Sequence, residues 1–211
     1  MTEITLYSYY RSSCAYRVRI ALYLKNIPFS YKAIHLVRNG GEQYSEDFIK
    51  LNPLAQVPCL KINDKSLTQS LPIIQYLDEL YPEPPLFSKD NLTKHEILSF
   101  CEIINSSIQP LQNLKMLQMI SDMGGDKVKW AAEWIAQGLE KLEVILKPRA
   151  KDFSFGNHLT CADLFLIPQL YNAHRFKVNV SSFPVLAQVE KACLALPAFQ
   201  NAKPESQPDA E

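Results

Sequence analysis

A chain of 211 residues, 47% hydrophobic and 21% charged, has an ordinary globular balance and reads as one large domain or two small ones. Its 22 basic and 22 acidic residues cancel, which leaves no cationic footprint for nucleic acid. No apolar run approaches a membrane span, the first residues lack the basic and apolar regions of a signal peptide, and the five cysteines cannot all pair and form no C-x-x-C; the expectation is a cytoplasmic chain with reduced thiols.

Residues 4–9 alternate apolar and polar and read as a strand. Residues 14–25 read as a helix with Val18, Ala21, Leu22 and Leu24 inward, capped by Ser12 or Ser13 and stopped by Asn26-Ile27-Pro28. A second strand is expected at 29–36, a turn at Asn39-Gly40-Gly41, and a short helix at 44–51 ended by Asn52-Pro53. Strands at 57–62 and 66–68 flank the turn Asn63-Asp64, and Ser70 is expected to cap a helix reaching 81. This β-α-β-α-β-β-α order defines a small α/β domain, residues 1–82.

The proline-rich stretch 83–90 reads as a linker. Beyond it, in 91–211, no strand pattern recurs. Residues 92–120 form one apolar-periodic run, about 43 Å long if wholly helical, with a kink expected at Pro110. A helix follows at 126–146. Thr160-Cys-Ala-Asp163 has the form of a capping box with Asp in place of Glu, opening a helix to about 172. A last helix is expected at 185–196, and residues 204–211 read as a disordered polar tail.

The six glycines contain no G-x-G, and neither H-E-x-x-H nor G-x-S-x-G occurs, so dinucleotide, P-loop, zincin and serine-hydrolase chemistry find no motif. Three places remain. Arg11-Ser12-Ser13-Cys14 lies at a strand-to-helix junction; it is either a plain helix cap or a thiol site supported by unpaired N–H groups and hydroxyls. Val57-Pro58 opens a strand, either as an edge proline or as a special peptide bond, possibly cis, beside which a peptide segment could pair. Gln69-Ser70 is a second strand-to-helix junction, a bare cap or a carboxylate site. A thiol site, a peptide-backbone site and a carboxylate site on one small domain match a short thiol peptide such as glutathione.

The segments Arg11-Ser-Ser-Cys-Ala-Tyr-Arg-Val-Arg-Ile-Ala-Leu22, Asn39-Gly-Gly-Glu-Gln43, Leu51-Asn-Pro-Leu-Ala-Gln-Val-Pro58, Gln69-Ser70-Leu, Ile108-Gln-Pro-Leu-Gln-Asn-Leu114, Ala162-Asp163-Leu and Asn172-Ala-His-Arg-Phe-Lys-Val178 resemble the zeta class of the glutathione transferase superfamily. The likeness runs from residue 4 to about 200. One departure is Tyr16, where the family usually has Trp at the expected pocket floor. The resemblance implies a thioredoxin-like glutathione-binding domain followed by an all-α domain. It implies that Ser12, Ser13 and Cys14 line the glutathione sulfur and that Val57 pairs with the cysteinyl backbone. Gln69 and Ser70 would hold the γ-glutamyl group, with Gln43 near the glycyl end. Gln109, Asn113, Leu114 and Lys115 would line the site from the helical domain, and Arg175 and Arg11 would face the carboxylates of a small dicarboxylate substrate. Arg17 and Arg19 are expected to be surface salt-bridging residues, and Asp163 a structural cap.

The activity implied is glutathione-dependent cis–trans isomerisation of maleylacetoacetate to fumarylacetoacetate, in tyrosine and phenylalanine breakdown, by a homodimer. The alternatives are a broader transferase or dehalogenase acting on α-haloacids, a glutaredoxin-like oxidoreductase using Cys14, and a non-catalytic scaffold.

Overall fold

The computed structural model describes residues 3–211 and divides into two compact units, 1–84 with 196–211, and 85–195. In the first unit, β1 (Ile4–Ser8), β2 (Ser30–Ala33), β3 (Cys59–Ile62) and β4 (Lys65–Thr68) form one sheet in the order β2-β1-β3-β4. β1 runs parallel to β2 and antiparallel to β3, and β3 runs antiparallel to β4. The register puts Leu6 opposite Leu60 and Ile4 opposite Ile62. With a side-chain period of two, these residues share one apolar face, and all four are buried. The alternate residues Tyr7 and Cys59 belong to a second cluster with Tyr9, Tyr10, Phe48 and Val57. Phe48 comes from α2 (Glu46–Leu51), which is capped by Ser45.

Helix α1 (Ser13–Leu24) packs on α3 (Ser70–Leu80). It is buried along almost its whole length, Ser13 and then Ala15 through Leu22, including Arg17 and Arg19. The expected surface role of these two arginines is therefore corrected. Val18, Ile20 and Leu22 interleave with them on a helix covered on all sides, so no solvated stripe exists for the guanidinium groups. The C-terminal end of α1 is tied down by Lys25, whose ammonium reaches Asp78 Oδ1 at 2.7 Å and the carbonyls of Tyr81 and Pro84.

The second unit contains helices α4 (Asn91–Glu102), α5 (Leu114–Asp122), α6 (Lys127–Leu146), α7 (Cys161–Arg175) and α8 (Pro184–Leu194). The single kinked helix expected over 92–120 is instead two helices. α4 ends at Glu102, a π turn spans Ile103–Ile108, a 3-10 turn spans Gln109–Gln112, and α5 starts afresh. Pro110 has no N–H for an i−4 bond and restricts the residue before it, and Asn113 caps the new helix by accepting the Met116 N–H at 2.9 Å. The capping box at Thr160 is present. Asp163 is wholly buried and accepts N–H groups from Ser154 and Thr160 at 2.8 Å each. Among the described residues no helix is long and apolar enough to cross a membrane.

Two further expectations are corrected. A helix α9 (Pro197–Ala202) follows α8, and residues 196–211 return to the first unit, so the helical unit ends before α9. The tail is not disordered: Pro204–Ser206 forms a 3-10 turn and Pro204 and Gln207 are buried. α9 packs on α1, Phe199 and Ala202 are inaccessible, and this apolar contact fixes the tail that follows. Tyr16 is also taken up here. It is buried, its hydroxyl faces the Phe199 carbonyl at 3.4 Å and its ring lies under the Arg19 guanidinium, so it serves this packing and not a pocket floor.

Candidate functional site

Strand direction gathers the first unit's candidates at one end of the sheet. Tyr7 of β1, Cys59 of β3 and Thr68 of β4 are neighbours in register, and Ser8 pairs with Ala33 of β2. The C-terminal end of β1, the start of β3, and the C-terminal ends of β4 and β2 therefore lie side by side. From them issue, respectively, the turn carrying Arg11 to Cys14, the Val57-Pro58 bond, the Gln69-Ser70 junction and the loop that leads to Gln43.

The β1–α1 turn is built by its own hydrogen bonds. The Ser12 N–H donates to the Tyr9 carbonyl at 2.9 Å. Ser12 is the helix N-cap: its Oγ accepts the Ala15 N–H at 3.2 Å, which satisfies one of the orphan donors of the first turn. With that lone pair engaged, the hydroxyl proton is available to a ligand. Ser13 is the first helical residue and is buried, and Cys14 is half-buried. The other four cysteines are buried, and burial pushes the thiols of Cys59 and Cys193 up. Cys14 is thus the one cysteine of the described chain that is not buried, and it lies in the first turn of α1. Arg11 is exposed, with its guanidinium over the Tyr10 ring at 4.9 Å. Burial and the adjoining Tyr10 push the Tyr9 phenol up to about 12, so that hydroxyl is protonated at neutral pH.

The Val57-Pro58 bond is cis. Asn52 supports the approach to it, donating from Nδ2 to the Gln56 carbonyl at 2.7 Å. The Gln69-Ser70 junction differs from the expectation: Gln69, not Ser70, is the N-cap residue, makes no side-chain cap bond, and has φ 69°. A side chain at positive φ is costly backbone, by about 1–3 kcal/mol, and here it holds the exposed Gln69 at the helix start. Ser70 is buried and its Oγ accepts from Arg17 Nη1 at 3.1 Å. A buried guanidinium thus stands directly behind the second helix start, and the serine proton is again free to be donated outward. Gln43 is buried, with Nε2 on the Leu36 carbonyl at 3.3 Å and Oε1 without a protein partner. It folds against Gly41, where a Cβ would come within 2.5 Å of its amide.

The remaining candidates belong to the helical unit. Gln109 and Asn113 are half-buried at the 3-10 turn, and Leu114 and Lys115 are exposed at the start of α5. The turn is clamped from within: Gln112 Nε2 donates to Gln169 Oε1 at 2.6 Å and Trp130 Nε1 to the Leu111 carbonyl at 2.8 Å. Arg175 does not follow α7 but is its last residue, three beyond the expected end. It is exposed, lies over the Phe176 ring at 5.1 Å and makes no ion pair among the described residues. Its neighbour His174 is engaged with Glu190 at 2.9 Å.

Sequence reasoning missed Arg17 and Arg19 as parts of the site. Arg19 is buried and donates to the carbonyls of Tyr9 and Tyr10 and to Ser8 Oγ. Burial lowers its pKa to about 10, which leaves it charged at neutral pH. The available signal was the unbroken apolar run around both arginines, which leaves no exposed face for either.

Hydroxyl donors and free helix N–H groups at two neighbouring helix starts, a buried cation behind one of them and an unpartnered amide oxygen nearby suit a peptide carrying a thiol and carboxylates. The sequence agrees with this chemistry. Residues 6–85 match the family described as "Glutathione S-transferase, N-terminal domain" and residues 130–193 match "Glutathione S-transferase, C-terminal domain". The chain belongs to the glutathione S-transferase family. It is 44% identical to the maleylacetoacetate isomerase of Dictyostelium discoideum, over 100% of this chain and 99% of that one. Its structure is similar to that of a maleylacetoacetate isomerase from Anaeromyxobacter dehalogenans with glutathione bound in the active site, with a TM-score of 0.90, 40% identity, and 100% and 99% of the two chains covered. It is likewise similar to a maleyl pyruvate isomerase described as a zeta-class bacterial glutathione transferase, with a TM-score of 0.94, 35% identity, and 98% and 100% covered.

Proposed function

We propose that this chain is a zeta-class, glutathione-dependent isomerase that converts maleylacetoacetate to fumarylacetoacetate. The observation that carries the reading is the convergence of the Ser12 cap, the Val57-Pro58 bond and the Arg17-backed Ser70 at one sheet end, in a chain whose relatives carry that activity in their names over their full length.

Glutathione, when bound, supplies a thiolate that adds to the conjugated double bond, allows rotation about the resulting single bond, and leaves again. The protein has three tasks. The first is to favour thiolate over thiol: each unit by which a thiol pKa falls is worth about 1.4 kcal/mol. The Ser12 hydroxyl would donate a hydrogen bond to the sulfur, and the N–H groups at the start of α1, with Ser13 and Cys14, would complete a donor set that needs no reorganisation. The second is to fix the peptide. Ser70 donates to the γ-glutamyl carboxylate with the Arg17 charge behind it, Gln69 reaches over that group, the Val57 backbone pairs with the cysteinyl unit, and Gln43 contacts the glycyl end. The third is to hold a dicarboxylate. Arg175, with no ion pair of its own, and Arg11 are the cations proposed for it, since a planar guanidinium fork takes two carboxylate oxygens at once. Gln109, Asn113, Leu114 and Lys115 are proposed to line the same site. The assembly is proposed to be a homodimer. The neighbouring Anaeromyxobacter structure solved with dicarboxyethyl glutathione and citrate supports a substrate of the dicarboxylate class.

The test is an isomer-resolved assay on maleylacetoacetate. The expected product is fumarylacetoacetate, formed only when glutathione is present. Accumulation of a stable glutathione adduct in its place would move the function to general conjugation.

A further inference from the structure

The C-terminal segment, far in sequence from the motifs of the first unit, ends on the turn that carries Ser12. Arg19 Nε donates to the Ala202 carbonyl at 2.8 Å, which anchors the end of α9 to α1. Buried Gln207 closes the next turn, its Nε2 donating to the carbonyls of Asn201 and Lys203 at 2.8 Å each. Asp209 then reaches back 199 residues: its Oδ2 accepts the Tyr10 N–H at 3.1 Å and its Oδ1 accepts the Tyr31 hydroxyl at 2.6 Å. Glu211 meets Arg38 at 2.9 Å and His35 at 3.4 Å, on the loop that leads to Gln43.

The consequence for the turn is specific. The Tyr10 carbonyl accepts Arg19 Nη2 at 3.0 Å, so both backbone polar groups of that residue are engaged: the carbonyl by a guanidinium from within the core, the N–H by a carboxylate from the tail. The Tyr9 carbonyl accepts both Arg19 Nη1 and the Ser12 N–H. Hydrogen bonds with one ionised partner are about twice as strong as neutral ones. The backbone two residues before Ser12 is thereby gripped from two sides, and Ser12 is the residue whose hydroxyl must meet a sulfur within a fraction of an ångström.

We propose that Asp209 is a positioning residue of the thiol site and that residues 207–211 are a working part of it, a strap that sets the Tyr10–Ser12 backbone and so aims the Ser12 hydroxyl. The inference rests on the reading of that turn as the glutathione-sulfur site. A misplacement of about 1 Å in a catalytic group costs on the order of 10²-fold in rate, so a strap lost without unfolding changes turnover more than it changes stability.

The test compares the parent with Asp209→Asn, Asp209→Glu and a chain ending at Gln207. Asparagine keeps the size but loses the charge and has one acceptor oxygen, so it cannot accept from both the Tyr10 N–H and the Tyr31 hydroxyl. Five quantities are read: the thermal midpoint, amide exchange at residues 10–13, kcat, KM for glutathione and KM for the dicarboxylate. With Asp209→Asn, exchange at the Tyr10 amide speeds up by about tenfold or more, kcat falls by about tenfold and KM for glutathione rises several-fold, on the scale of a misaligned group. KM for the dicarboxylate stays within about twofold, and Asp209→Glu recovers part of the loss. A lower thermal midpoint with unchanged kcat and KM would overturn the proposal, because the tail would then be structural only. Should the shortened chain fail to fold, Asp209→Asn decides. A parent that does not bind glutathione refutes the proposed function instead, and Tyr10 exchange in Asp209→Asn then decides alone whether the strap holds the turn.

Discussion

Replacing Ser12 by alanine removes one interaction present in the structure and one proposed for the same oxygen. The first is the cap: the Ala15 N–H loses its acceptor at 3.2 Å, and loss of a serine cap costs about 1 kcal/mol of stability. The second is the hydrogen bond proposed from the hydroxyl to the glutathione sulfur. Loss of one such donor costs on the order of 10²-fold in kcat, about 2.7 kcal/mol at 1.36 kcal/mol per decade, and should raise the bound thiol pKa by one unit or more. Ser12→Asp separates the two roles. Aspartate caps as well as serine does, so stability stays near the parent, but its carboxylate faces the sulfur with like charge and turnover falls further than in Ser12→Ala. Ser12→Thr keeps both groups and much of the activity. Cys14→Ala should cost only a few-fold, because the reacting thiol belongs to glutathione. The assays are urea unfolding, kcat at saturating glutathione, and titration of the bound thiol by its ultraviolet absorbance. A Ser12→Ala protein about 1 kcal/mol less stable yet turning over at the parent rate would refute the donor role and leave Ser12 a cap alone.

Gln69 sits at φ 69°; Gln69→Gly should relieve that backbone and raise stability by about 1 kcal/mol while weakening glutathione binding, whereas Gln69→Ala should weaken binding with no such gain, as paired unfolding and binding titrations would reveal. Asp163→Asn should cost about 1–3 kcal/mol, because the asparagine oxygen cannot accept from both Ser154 and Thr160, with denaturant midpoints as the check. Burial pushes the Asp163 carboxyl above its ordinary 3.8, so the folded chain binds that proton more tightly than the unfolded one. Its contribution to stability is full below pH 3.8 and is lost as pH rises through the folded pKa, and stability-versus-pH curves of Asp163→Asn should lack that slope. Arg175→Ala should lower kcat/KM for the dicarboxylate by about 2–4 kcal/mol if the pair is desolvated, with glutathione affinity within about threefold; Arg175→Lys should recover only part, and full kcat/KM in both variants would return the carboxylate role to Arg11.

What could be read from the chain follows from the range of the forces involved. The β1 alternation, the Ser12 cap, the capping box at Thr160 and the Asp126 start of α6 are local, and each lies within a residue or two of the expected place. The Gln69 junction was located correctly and its conformation was not, since positive φ in a glutamine has no local signature. The full break at residues 103–113 is masked because the apolar period continues through it; Pro110 marks only a kink, and Asn113, a cap residue inside the run, marks the new helix. Arg17, Arg19 and the tail 204–211 depart from expectation for one reason. A polar group's role depends on what packs over it, and α9 and the tail that cover α1 arrive about 180 residues later in the chain.

The most direct measurement is the number of maleylacetoacetate molecules isomerised per glutathione when glutathione is far below stoichiometric. If the thiolate adds and leaves, fumarylacetoacetate forms over many turnovers per glutathione and the glutathione is recovered unchanged. Product that stops at one equivalent, or that forms at the same rate without glutathione, would contradict the account.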